Sequence, residues 1–417
     1  MNRKHIVFLV GSYAPNYSAV GICASSVVNV LKQRYKVTVI SINNKYGLPE
    51  EEYMDGVRII RIHPYSSILY DLPHYFSSGL KKHIGKYISF GYRSIQFLKS
   101  VFCSKLMINK NLVSCYSKAV NQLKSSEAID CIIGCAFPFE SIIAVRNFCN
   151  DHKSVKGIAY LFDPFAENKL IYRTSNNYHK KYKYNLNLEK EVLQNLDLVI
   201  AMHIWERHLA CYYSDCNNIE IAEHPLLLIN NDIRQGKYEG RRIMYAGALN
   251  AKVRNPLYAF SLIDKLLKSS DNLEFNFYTS DYLNDLDSLE HKYPARFHNH
   301  GRKPIEEIHI AEYSNDIMLS IGNSSNTSQT PSKIFEYMST GNPIIHIAKY
   351  KEDPCISVLN KYRQSLILYE NVEYDINDIL LKISKLSPYT DRSQLSQLFE
   401  DATPEFVAKK ITQLLHD

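Results

Sequence analysis

Two series of short apolar segments alternating with helical stretches, separated by one polar interruption, constrain this chain more than any other feature. The first series opens with the apolar residues His5 to Val10 before Gly11, passes through helical spacing at Ile22 to Leu31, and reaches a second apolar segment at Lys36 to Ser41. Further strand-like segments fall at Val57 to Ile62, Asp130 to Ile133, Lys156 to Phe162, Leu198 to Ala201 and Ile219 to Ala222, with helical stretches such as Glu140 to Asn150 and Leu186 to Leu196 between them. Alternation of this kind predicts an α/β fold built on a doubly wound parallel sheet. His224 to Gly240, with Pro225, Asn230-Asn231 and Gly236, breaks the pattern. A second series then places strands at Arg241 to Ala246, Leu273 to Tyr278, Arg296 to Asn299, Ile317 to Ile321 and Pro343 to Ile347, with helices after Asn255, Pro304 and Thr330. The length of 417 residues exceeds what one hydrophobic core usually serves, so the expected organisation is two domains, 1–225 and 226–396, ahead of a last segment, 397–417. In that segment Thr403 and Pro404 are a helix start, with Phe406, Val407, Ile411, Leu414 and Leu415 on one side.

Composition removes several classes. Hydrophobic residues make up 45% and charged residues 22%, a globular balance that leaves little room for long disorder. The nine cysteines contain no C-x-x-C pair and no repeated short spacing, which fits a reduced, cytoplasmic setting better than a disulfide framework or a zinc site. The first apolar run is too short for a secretory signal and leads into a glycine turn, and no run approaches the roughly 18 apolar residues of a membrane span. The net charge of +6 is unevenly spread, because Leu72 to Ser126 holds nine Lys or Arg residues and no Asp or Glu. There Lys81, Lys82, Lys86, Arg93, Lys99 and Lys105 interleave with Ile84, Tyr87, Ile88, Phe90, Tyr92, Ile95, Phe97, Leu98, Val101 and Phe102. Residues 79–110 therefore read as an interfacial helix for an anionic membrane surface, making the protein peripheral on the inner face; a solvated basic helix is the alternative. No nucleic-acid binding motif accompanies the charge, so nucleic acid is not an expected partner.

The segment NSSNTSQTPSKIFEYMSTGNPIIHI, Asn323 to Ile347, carries the most chemistry. It reads as loop, helix and strand, with Thr330 and Pro331 starting the helix and Gly341 ending it. Unpaired first-turn amides and the positive end of the helix dipole suit a phosphate near Thr330 to Lys333. Lys333 in that turn is opposed by the dipole unless an anion is bound. Lys333 and Glu336 share a helix face, leaving Glu336 free to accept from ribose hydroxyls; a surface Lys-Glu pair is the plainer reading.

This pattern, SKIFEYMSTGNPII, resembles the nucleotide-sugar signature of GT-B glycosyltransferases similar to family 4, of the bacterial surface-polysaccharide type. The resemblance implies two Rossmann-like domains facing a cleft, with the last helix crossing back to the first domain. It also implies a metal-independent transferase that uses a UDP- or GDP-sugar as substrate and needs no cofactor. The acceptor would be a glycan or lipid-linked glycan meeting the first domain, as in lipopolysaccharide or capsule synthesis. By the same resemblance Glu336 holds the ribose, while Thr330, Ser332 and Lys333 hold the diphosphate. Many members carry two glutamates separated by seven residues; the first of those positions here is Ser328. An epimerase of the same fold, or a catalytically silent membrane-bound partner, are the rival readings.

In YAGALNAKVRNP a strand ends at Gly247, where a glycine lets backbone approach a ligand, and Lys252 or Arg254 would neutralise a departing diphosphate. HGRKP, with Arg302, resembles the place where this family holds the nucleobase. In the first half, GSYAPNYSAVG, containing Ser18 and Gly21, would line the interdomain cleft on the acceptor side, an ordinary strand-to-helix turn being the alternative; without the three-glycine spacing it predicts no nicotinamide cofactor. Asp163 ends the strand GIAYLF ahead of Pro164 and is the candidate general base, with Glu167 in reserve; it could instead cap a helix starting at Phe165. Asp285 and Asp287 match a metal-binding Asp-x-Asp but sit in a polar helical stretch, and the fifteen histidines show no metal-ligand spacing, so no metal site is expected.

Overall fold

A computed structural model describes residues 3–43, 47–72, 80–102, 108–168, 172, 175–229, 237–324, 330–389 and 392–416. The chain forms two compact units: Met1–Pro225 with Pro404–Asp417, and Leu226–Thr403.

The first unit is built on eight strands: β1 (His5–Val10), β2 (Lys36–Ile42), β3 (Glu51–Met54), β4 (Val57–Ile62), β5 (Cys131–Ala136), β6 (Lys156–Leu161), β7 (Leu198–Met202) and β8 (Ile219–Ala222). They lie in the order β3-β4-β2-β1-β5-β6-β7-β8. All pair in parallel except β3, which folds back on β4. Asp55 and Gly56 turn that hairpin with φ of 48° and 81°, the left-handed pair that a two-residue hairpin loop requires. Every residue of β1 and β5 is buried, as in strands covered on both faces. The helix Ala19–Leu31 covers one face through Cys23, Ala24, Val27, Val28 and Leu31. Against it packs the last helix, Pro404–His416, which buries Val407, Ile411 and Leu415. Tyr35 Oη lies 3.3 Å from His416 Nε2, and Lys410 pairs with Glu220 at 2.8 Å. The returning segment starts at Pro404; Leu226–Thr403 is one unit, in which Leu227 N donates to Ala402 O at 3.1 Å.

The helix Leu80–Phe102 is turned inside out relative to an ordinary surface helix. Its inward residues are the small or polar Gly85, Ser89, Tyr92 and Gln96, whereas Ile84, Tyr87, Ile88, Phe90, Ile95, Phe97 and Leu98 are exposed, Tyr87 by 75% and Phe90 by 70%. At about 100° per residue, Tyr87, Leu98, Ile84, Ile95 and Ile88 fall on one outer stripe, and exposed Lys86 and Arg93 lie about 100° or more round the helix from it, beyond Phe90 and Phe97. Among the described residues no helix is long and apolar enough to cross a membrane.

The second unit has six strands: β9 (Arg242–Ala246), β10 (Glu274–Tyr278), β11 (Phe297–Asn299), β12 (Ile317–Ile321), β13 (Ile344–Ala348) and β14 (Ser365–Tyr369). All pair in parallel, in the order β11-β10-β9-β12-β13-β14. Counted within the unit this is 3-2-1-4-5-6, the doubly wound order whose direction reverses between β9 and β12. Ile243, Phe275, Phe277, Ile317, Leu319 and Ile345 join Phe260 and Ile263 of the helix Leu257–Ser269 in one core.

Candidate functional site

In an open parallel sheet, ligands bind beyond the carboxyl ends of the strands where the strand order reverses. In the second unit that place is a fork. β9 pairs with β10 through Ala246, but with β12 only at Ile243 and Met244. Past that point Tyr337 takes the place of the missing strand: Ala246 N donates to its Oη at 2.9 Å, and the Oη donates back to Ala246 O at 3.2 Å. Tyr337 belongs to the short helix Lys333–Ser339, so these two bonds fasten that helix to the tip of β9. Gly247 follows with φ of 153°, a conformation side-chain-bearing residues rarely adopt, and its N–H donates to Tyr278 O at 3.3 Å.

Of the two cations expected beside Gly247, the structure brings Arg254 to the fork. Asn250 and Arg254 exchange backbone hydrogen bonds of 3.0 and 2.7 Å, folding the loop back on itself. The Arg254 guanidinium then lies 3.7 Å from where a Gly247 Cβ would stand and donates to Asn323 Oδ1 at 3.0 Å, just past β12. Its Nε is buried and has no hydrogen-bond partner among the described residues. A buried guanidinium nitrogen without an acceptor is costly, and among the described residues no carboxylate pairs with this charge beside Gly247. Lys252 is exposed on the outside of the same loop, and Arg302 is exposed past β11. Beside Arg302, His300 stacks on Tyr278 at 4.6 Å and bonds Asn276 Oδ1 at 2.8 Å.

The helix expected from Thr330 begins at Lys333. Pro331 and Ser332 carbonyls already accept from Ile334 and Phe335 N, at 3.0 and 3.1 Å, so the chain is wound before the first regular turn. Thr330 is buried and Ser332 half-buried at that end; Ser328 lies outside the described residues. Lys333 does not stand free. Its Nζ is 2.5 Å from Glu336 Oε2 and 2.9 Å from Glu312 Oε1, and 5.7 Å from the Tyr337 ring centroid. Glu312, on the helix Ile305–Ser314, is buried. Burial alone would discharge Lys333, but Glu312 and Glu336 overrule it and hold its pKa above the usual lysine range. His309 completes a group with Glu312 and Glu336 whose ligand atoms lie within 4.8 Å of one another, and His346, Asp353 and Cys355 form another. In the second group His346 Nε2 is 3.2 Å from Asp353 Oδ2, and Asp353 Oδ1 caps Cys355 N at 2.9 Å, so its donors are already used. Asp285 and Asp287 are exposed on the helix Leu283–Lys292.

The first unit has a corresponding fork between β1 and β5, whose pairing stops at Leu9. Here Tyr116 Oη donates to Val10 O at 2.8 Å. Ser18 caps the helix Ala19–Leu31 by accepting from Gly21 N at 3.1 Å, and a Cβ on Gly21 would lie 2.0 Å from Ser12 O, so loop and helix meet there without room for a side chain. Asp163 is half-buried just beyond β6, and no helix starts at Phe165, which removes the capping role considered for it. Phe165 instead stacks on Phe139 at 4.2 Å. Glu167 is exposed with Oε1 3.1 Å from His208 Nδ1, while buried Glu189 takes His208 Nε2 at 2.6 Å, Tyr213 Oη at 2.9 Å and Ala166 N at 2.9 Å. Burial works against a charged His208, but the two carboxylates outweigh it and raise its pKa.

No protein-family profile and no curated protein matches the sequence. Solved structures match along the whole chain. Sucrose-phosphate synthase from Thermosynechococcus elongatus has a TM-score of 0.58 at 12% identity, covering 99% of this chain and 98% of that one. The lipopolysaccharide outer core galactosyltransferase WaaB gives 0.54 at 11%, covering 99% of each. The catalytic domain of Starch Synthase IV from Arabidopsis thaliana, bound to ADP and acarbose, gives 0.56 at 10%, covering 100% of this chain and 99% of that one. The chain has the GT-B glycosyltransferase fold.

Two groups in this GT-B chain escaped the sequence reading. Glu312 lies on a different helix from Lys333 and Glu336, and only the His309/Glu312 spacing of three, one helical face, hinted at it. Glu140 opens the helix after β5; its Oε1 accepts from Asn109 N at 2.7 Å, and burial pushes its carboxyl above the usual range. An acidic first-turn residue behind a strand was the available signal.

Proposed function

We propose that the protein transfers a sugar from a nucleotide sugar, a UDP- or GDP-sugar, to a glycan or lipid-linked glycan at the cytoplasmic face of a membrane, as in surface-polysaccharide synthesis. The observation that carries this reading is the β9/β12 fork, where the Arg254 guanidinium lies beside Gly247 and the helix that carries Glu336 is fastened to the tip of β9 through Tyr337. In this reading the diphosphate lies against Gly247 and Arg254, with backbone at Thr330 and Ser332 beside it, and Glu336 accepts from the ribose hydroxyls. Arg254 then offsets the charge that grows on the departing diphosphate, the electrostatic task a metal performs in other transferases. Asp163 takes the proton of the attacking acceptor hydroxyl. Ser18 and the Gly21 turn border the acceptor. The exposed apolar stripe and the exposed basic residues of Leu80–Phe102 support the membrane part: apolar residues enter the headgroup boundary while the long Lys86 and Arg93 side chains reach anionic lipid.

Thermal shift and calorimetric titration with UDP, GDP and ADP test the donor site. A nucleotide at a hundredfold its Kd should stabilise the wild type by about 2.7 kcal/mol. Arg254→Ala and Glu336→Ala should lose that stabilisation, whereas Asp163→Asn should keep it and lose sugar transfer. Absence of binding by all three nucleotides, or full diphosphate affinity in Arg254→Ala, would overturn the proposal.

A further inference from the structure

Lys333 sits in the turn where a phosphate-binding lysine is expected, yet its ammonium is already committed. It lies 2.5 Å from Glu336 Oε2 and 2.9 Å from Glu312 Oε1, so two carboxylates share one cation. The Glu312 and Glu336 side chains are only 3% and 10% exposed, which keeps the attraction from being dissipated by water. The three groups together carry a net negative charge when ionised, and a diphosphate approaching Lys333 Nζ would meet two carboxylates around it. Arg254 offers a different environment: among the described residues its guanidinium meets Asn323 Oδ1 and the Tyr245 phenol, both neutral, and its Nε has no hydrogen-bond partner.

We infer that Lys333 and Glu312 are positioning residues for Glu336 and that the diphosphate is left to Arg254. Lys333 occupies Oε2 of Glu336, which fixes the carboxylate and leaves Oε1 to accept from the ribose hydroxyls. Glu312 holds Lys333 from the far side, and the Tyr337 ring beneath it ties the assembly to the tip of β9. Shortening or neutralising either residue lets Glu336 turn, so the loss is felt at the sugar of the nucleotide and not at its phosphates. This rests on the nucleotide reading of the fork.

The test compares Kd values for UDP, uridine and 2′,3′-dideoxyuridine, or the guanosine series if the wild type prefers GDP. In Lys333→Ala, UDP and uridine should weaken by the same factor, about tenfold, the dideoxy compound should be unchanged, and the uridine-to-UDP ratio should match the wild type. Arg254→Ala should collapse that ratio. Lys333→Ala weakening UDP while sparing uridine would overturn the inference. Glu312→Gln provides an independent check. Positioning predicts weaker UDP and uridine alike; tighter UDP binding, from a lysine released to the phosphates, would refute it. If the wild type binds neither nucleotides nor nucleosides, the donor-site reading itself fails, which is a different result from either outcome above.

Discussion

Tyr337→Phe removes one oxygen and tests how the fork is held. In the wild type that oxygen serves both backbone groups of Ala246, which is only 4% exposed, and Tyr337 is 2% exposed. No strand is available to replace it, because β12 leaves β9 after Met244. The substitution forfeits two hydrogen bonds worth about 1 kcal/mol each and strands a buried N–H and C=O, so a loss of about 2–3 kcal/mol is expected. A penalty of that size raises the local opening equilibrium of the β9 tip by roughly 30- to 150-fold. Hydrogen exchange followed by mass spectrometry on peptides spanning 243–247 measures it directly. Tyr245→Phe, which gives up a bond of 3.2 Å to Ala248 O and the phenol's contact with Arg254, is the control and should change exchange of the β9 tip little. An increase below about threefold in Tyr337→Phe would refute the view that the phenol replaces a strand.

Two further outcomes are specific. Burial works against ionisation of Asp264, but hydrogen bonds from Lys268, Lys292 and Tyr293 outweigh it and bring its carboxyl down from 3.8 to about 2. Its stabilising effect is therefore complete above about pH 4 and is lost as pH falls toward about 2. After solvent screening the effect is on the order of 1 kcal/mol, so Asp264→Asn should lower the urea midpoint at pH 7 and match the wild type near pH 2; equal differences at both pH values would contradict this. At the helix Leu80–Phe102, Lys86→Ala with Arg93→Ala should weaken sedimentation with phosphatidylglycerol vesicles by roughly 30-fold, at about 1 kcal/mol per charge. Ile84→Asp with Ile95→Asp should abolish it, and equal binding of the wild type to neutral vesicles would count against the lipid assignment.

Strand alternation was readable because β1, β5, β7 and β13 are buried on both faces and therefore read as mostly apolar runs, broken only by His5 at the start of β1 and His346 within β13. The hairpin at β3 was not seen: Glu51, Glu52, Tyr53 and Met54 carry no apolar alternation, although Asp55-Gly56 spelled its turn. Lys252 and Arg254 looked equivalent, since nothing in their spacing shows that Asn250 folds the loop and turns one of them inward. Lys333 was read through its own helix, where Glu336 is visible three residues on. Glu312, which decides the electrostatics of Lys333, comes from another helix and enters only through tertiary packing. For Leu80–Phe102 the mixture of basic and apolar residues was plain, but not that Gly85 and Ser89 would face the protein and send the isoleucines outward.

Both sheets open at their tips beside a tyrosine, Tyr337 against Ala246 and Tyr116 against Val10. A ladder widens only by breaking successive rungs along two chains, whereas a lone hydroxyl on a neighbouring helix sets the gap by the reach of one ring. Aperture and foundation are thereby separable: the mouth can be reshaped at a single codon while the rungs beneath it stay as they are.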